Sequence, residues 1–139
     1  MLMVKSDTFQ KEVMESNVPV LVDFFATWCG PCQMMGPVLE QLQAEYGDKA
    51  KIVKVDIDQA MDLAQKYRVM SVPNMIFFKD GQVADSIIGA VPASVLKEKM
   101  DKLVLKMPIG GHLLRQERTS SFFFGKTDGI VRFDVCMYW

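Results

Sequence analysis

Two of the chain's three cysteines stand three positions apart in TWCGPCQ, residues 27–33, with only Gly30 and Pro31 between them. Thiols at that spacing can close a structural bridge, supply half of a metal site, or interconvert reversibly between dithiol and disulfide. Three cysteines in 139 residues are too few for a disulfide framework, and a reducing compartment would not hold a structural bridge closed. A zinc site needs two further ligands. The remaining candidates, His112 and Cys136, lie far along the chain and form no second paired motif. The residues favour the redox switch, and with it neither a metal nor a bound organic cofactor is expected.

The local sequence makes the two thiols unequal. Cys29 is expected at or just before a helix start, where unpaired N–H groups and the positive end of the helix dipole stabilise a thiolate. That makes it the nucleophile. Cys32, one turn on, faces inward and resolves the mixed disulfide that Cys29 forms. Pro31 suits a first helical turn because its missing N–H would have no partner there, and Gly30 allows the close turn before it. Trp28 offers an apolar platform beside the pair. Asp23 interrupts the apolar run VLVDFFA and should lie inside; without a fixed partner such a carboxyl has a raised pKa and can take the Cys32 proton, directly or through a water. The competing reading is a carboxylate satisfied by hydrogen bonds with no part in the chemistry. Lys54, in KIVKVDID, is the cation that would tune Asp23 if their strands are neighbours.

Positioning these groups requires a definite set of elements. Ser6 or Asp7 can cap a first helix with Phe9, Val13 and Met14 on one side. VPVLVDFFA (18–26) has the apolar continuity of a strand buried on both faces. MMGPVLEQLQAEY follows at helical spacing, ends before Gly47 and contains Pro37, where a kink is expected. KIVKVDID (51–58) reads as a strand and DQAMDLAQKYRV as a short helix. NMIFFKDGQVADSII reads as two strands turning at Asp80 and Gly81, and about 92–106 as a closing amphipathic helix. The central βαβ unit demands a parallel pair and the hairpin adds antiparallel edges. The fold class is therefore α/β, a central mixed β-sheet flanked by helices on both faces. The methionines from Met34 to Met107 are expected to fill the core.

VDFFATWCGPC, then KVDID, SVPNMIFFKDGQ and IGA, in this order and spacing, resemble the thioredoxin family over about residues 4–106. The resemblance implies a thioredoxin fold and a thiol–disulfide oxidoreductase that reduces disulfide-containing protein substrates and is recharged by thioredoxin reductase. By the same resemblance Cys29 attacks, Cys32 resolves, Asp23 is the buried acid–base group and Lys54 its neighbour. Pro73 matches a cis-proline facing the cysteines, Val72 the residue whose backbone pairs with an extended substrate segment, and Gly89 a glycine of the flat contact surface. Phe25, Gln33, Ser71 and Asn74 depart from the common pattern. None removes a group the chemistry needs, but Gln33 and Asn74 alter the rim and so bear on which substrates are chosen.

The bulk properties agree with such a protein. Half the residues are apolar, enough for one domain's core, and the formal charge of −1 carries no basic surplus for nucleic acid or an anionic membrane. The N-terminus meets Asp7, Lys11 and Glu12 before any signal-length apolar run, and nothing approaches the ~20 apolar residues of a membrane helix. A cytoplasmic monomer is expected. A non-enzymatic binding or chaperone-like module on the same fold is the alternative. Residues 1–106 are read as the domain and 107–139 as an extension, because Pro108, Gly110 and Gly111 break the helical period. That extension reads either as an extension without fixed order or as a hairpin whose last strand spans 130–139. Cys136 is then a free thiol or a partner for Cys29.

Overall fold

The computed structural model describes residues 1–105 and the backbone of Cys136–Met137. In chain order the elements are β1 (Leu2–Met3), α1 (Ser6–Phe9), a wide π turn (Gln10–Met14), β2 (Val20–Phe25), α2 (Gly30–Tyr46) and β3 (Lys51–Asp56). There follow α3 (Met61–Lys66), β4 (Ser71–Val72), β5 (Asn74–Lys79), β6 (Gln82–Ile88), α4 (Ala93–Leu105) and β7 (Cys136–Met137).

The apolar residues of β2, interrupted only by Asp23, place it in the sheet's interior. It pairs in parallel with β3 on one side and antiparallel with β5 on the other. The edges are β1, parallel to β3, and β6, antiparallel to β5, so the five-stranded order is β1-β3-β2-β5-β6. The parallel step from β2 to β3 is the one α2 makes, because parallel neighbours need a crossover.

Strand alternation splits the apolar residues into two cores. Val20, Val22 and Phe24 of β2 pack with Phe9 and Val13 from the first helical segment and Leu63 and Ala64 of α3. Leu21 points the other way and packs with Met35, Leu39 and Leu42 of α2 and Leu96 and Met100 of α4. Helices thus cover both faces of a mixed sheet, the α/β architecture expected from the element order.

The differences from expectation lie mostly at boundaries. The first helix is entered from Lys5, so Ser6 is helical and not its cap. Helix α2 runs from Gly30 to Tyr46 with Pro37 inside it. The methionine expectation holds for Met35, Met75 and Met100 but is overturned at Met34, Met61 and Met70, which are exposed; a period of apolar residues cannot tell core from rim. The chain from 106 to 135, with most of the anticipated hairpin, lies outside the described residues, as does His112.

The hairpin signal at Asp80-Gly81 is met by a turn in which both residues have positive φ, 54° and 78°, as a two-residue turn matching strand twist requires. A Cβ on Gly81 would also stand 3.1 Å from the Met14 carbonyl oxygen. Gly81→Ala is therefore expected to lower unfolding free energy by about 1–2 kcal/mol. A fall in the urea midpoint without a change in slope would check it.

Candidate active site

The redox pair is built where β2 hands over to α2. Cys29 is still extended (φ −98°, ψ 113°) and caps α2, whose first turn carries Pro31. Its Sγ accepts the Cys32 N–H at 3.2 Å, and the two sulfurs are joined as a disulfide. The helix-start environment anticipated for Cys29 is thus present as a specific N–H contact on its sulfur. Cys32 is buried, as expected for the inner position. Cys29 is buried as well, with 0% of its surface exposed, which the sequence did not signal.

Facing the pair is the turn between β4 and β5. The Val72–Pro73 bond is cis, and the Val72 carbonyl oxygen lies 3.7 Å from Cys29 Sγ. The Pro73 carbonyl in turn accepts the Gly89 N–H at 2.7 Å, and Gly89 holds φ 101°, a conformation that disfavours any side chain. Val72, Pro73 and Gly89 are thereby linked, with the Val72 carbonyl against Cys29. Trp28 is half-exposed beside them and donates its Nε1–H to Asp58 at 3.0 Å. Asp58 was not anticipated as a ring anchor; it closes the expected strand KIVKVDID as an ordinary polar residue, and lies just past the observed strand Lys51–Asp56. Gln33 donates to the Thr27 carbonyl at 3.3 Å, tying the rim back across the motif.

Asp23 is wholly buried in β2, and neither carboxyl oxygen has a hydrogen-bond partner among the described residues. That is not the environment of a carboxylate satisfied by protein hydrogen bonds, the competing reading of Asp23. Desolvation pushes its pKa up to about 7 despite the attraction of Lys54. Asp23 and Lys54 are register partners on adjacent parallel strands, and the Lys54 ammonium sits 4.4 Å from the Phe25 ring centroid. An apolar neighbour on one side and a ring face under the cation leave the carboxyl with little stabilisation of its charge. Asn74, next to Pro73, is also buried with Oδ1 unpartnered among the described residues.

The arrangement offers a disulfide held at a helix start, a strand end facing it, and a buried group that can hold or release a proton near neutrality. That is equipment for thiol–disulfide exchange. Among the described residues, no group of three or more His, Cys, Asp or Glu side chains is placed to hold a metal, and no helix is long and apolar enough to cross a membrane.

A family profile described as Thioredoxin matches residues 1–102. Thioredoxin 1 of Synechococcus elongatus is 46% identical over 99 residues, spanning 71% of this chain and 92% of the relative. A thioredoxin of Staphylococcus aureus is 54% identical over 89 residues, 64% of this chain and 85% of its own. The chloroplastic M-type thioredoxin of Chlamydomonas reinhardtii is 44% identical over 99 residues, 71% of each chain.

Proposed function

The chain belongs to the thioredoxin family and is a thiol–disulfide oxidoreductase, and from that premise we propose how its residues divide the work and with whom it exchanges electrons. Cys29 attacks a substrate disulfide and forms a mixed disulfide, releasing one substrate thiolate. Cys32, its proton taken by Asp23 directly or through a water, then attacks the Cys29 sulfur. The products are a reduced substrate and the Cys29–Cys32 disulfide. The observation that carries this assignment is the Cys32 N–H on Cys29 Sγ, a contact that stabilises negative charge on Cys29 and has no counterpart on the inner thiol among the described residues.

Lys54 limits how far the Asp23 pKa rises. Trp28, Gly30, Pro31, Val72, Pro73 and Gly89 form the surface that meets an extended substrate segment. The domain ends near residue 106, a bound supported by a family match that stops at 102. The protein acts as a monomer in the cytoplasm and is recharged by a thioredoxin reductase. The paired, redox-competent cysteines favour this reading over a binding module that would work without them.

The test is NADPH oxidation coupled through a thioredoxin reductase to reduction of a protein disulfide, with the full chain as electron carrier. Steady NADPH consumption that depends on the chain and is absent with Cys29→Ser is expected. A folded chain that supports none would remove the reductase from the proposal, and failure with dithiothreitol in place of the reductase would remove the catalytic assignment too.

A further inference from the structure

A short strand near the C-terminus lies in a place the sequence did not indicate. β7 (Cys136–Met137) pairs antiparallel with β4, Ser71 opposite Met137 and Val72 opposite Cys136. These two strands form a sheet of their own, so β4 has no other strand neighbour among the described residues. β4 is also the segment whose Val72 carbonyl stands 3.7 Å from Cys29 Sγ. An extended substrate reaching Cys29 alongside Val72 needs the same backbone edge, and a strand edge takes one partner at a time. A second observation points the same way: Cys29, the sulfur a substrate disulfide must reach, has 0% of its surface exposed in the full chain.

We propose that the chain's own C-terminal strand, Cys136–Met137, occupies the β4 edge as an internal competitor, so that a protein disulfide must displace it before Cys29 can be attacked. The inference rests on the reading that the β4 edge receives the substrate backbone. Because the competitor belongs to the same chain, the occupied fraction does not change with protein concentration, and substrate must compete against a unimolecular contact. Recognition here is by main-chain hydrogen bonds, so the identity of the Cys136 side chain is secondary, and no covalent step is required.

The experiment compares full-length chains carrying Cys136→Pro with Met137→Pro, which removes both N–H donors of β7, against wild type and Cys136→Ser. The first readout is amide hydrogen exchange at Ser71 and Val72, with the β2 and β5 amides as the internal check of folding. The second is insulin reduction driven by dithiothreitol. Loss of protection at Ser71 or Val72 in the double-proline chain alone is expected. With it should come a rise in kcat/KM of several-fold to about tenfold, while Cys136→Ser behaves as wild type. Unchanged protection at both amides would overturn the strand contact, and lost protection without a faster reaction would overturn the competition. A rise in kcat/KM with Cys136→Ser equal to that of the double-proline chain would overturn it as well, pointing to a thiol effect. If no chain exceeds the Cys32→Ser blank, the catalytic reading has failed instead, and the exchange data still decide whether β7 holds β4.

Discussion

Cys32→Ser is expected to lower protein-disulfide turnover by on the order of 10³-fold or more, while leaving the first chemical step intact. Cys29 keeps its place at the start of α2 and still attacks a substrate disulfide. The mixed disulfide then has no inner thiol to resolve it and accumulates as a one-to-one covalent adduct. Cys29→Ser loses turnover equally but accumulates nothing, because the attacking sulfur itself is gone. Intact mass spectrometry after mixing each variant with an oxidised protein substrate separates the two outcomes. An adduct on Cys29→Ser and none on Cys32→Ser would reverse the assigned roles. The asymmetry follows from geometry: Cys29 caps the helix and accepts the Cys32 N–H at 3.2 Å, whereas Cys32 lies within the first turn.

Much of this was legible before any coordinates because its signals are local. The nearly continuous apolar run at Val20–Phe25 reads as an interior strand, and the Gly-Pro between the cysteines suits the start of a helix. Asp80-Gly81 marked its own turn. What escaped the sequence depends on partners far along the chain. β1 and β4 are two residues each, too short for any period to register, and each exists only because another strand's edge is there to receive it. Strand register carried Asp23 to Lys54, and sequence could pose that contact only as a condition on which strands neighbour. The exposure of Met34, Met61 and Met70 and the anchoring of Trp28 by Asp58 are likewise surface facts, fixed by what the packed elements leave uncovered. The burial of Cys29 is the largest such departure. Local sequence explains why its thiolate would be stable, and says nothing about what stands over it.

Chemistry and stability pull in opposite directions at Asp23. The inner thiol is useful only if its proton can leave during the exchange, and a carboxyl able to take it must titrate near the working pH. Burial away from water supplies that property, and the fold carries the cost.

Asp23→Asn is accordingly expected to flatten the dependence of stability on pH. The folded-state pKa is raised from 3.8 to about 7 by desolvation, against the pull of Lys54. Between those values the folded protein holds a proton that the unfolded chain has released, so unfolding releases it and stability falls as pH rises. The loss begins near the unfolded value, is complete above the folded one, and amounts to about 4 kcal/mol across the window. At pH 4 the wild-type side chain is neutral in the fold, and the variant, also neutral, should differ from it little. At pH 8 the wild type buries a charge that the amide does not carry, so the variant should be the more stable by up to that same amount. Urea unfolding of both proteins at several values from pH 4 to 8 tests the sign, and a stability difference that stays constant across the range would sink the assignment. The same substitution should slow resolution of the mixed disulfide by about 10²-fold, because the proton on Cys32 then has no buried acceptor. Adding Lys54→Met to the wild type should move the Asp23 titration further up, since the cation that lowers it is removed. The fold would then lose stability from the same lower pH but reach its plateau later, and a titration moving downward would show that Lys54 does not act on Asp23 as assigned.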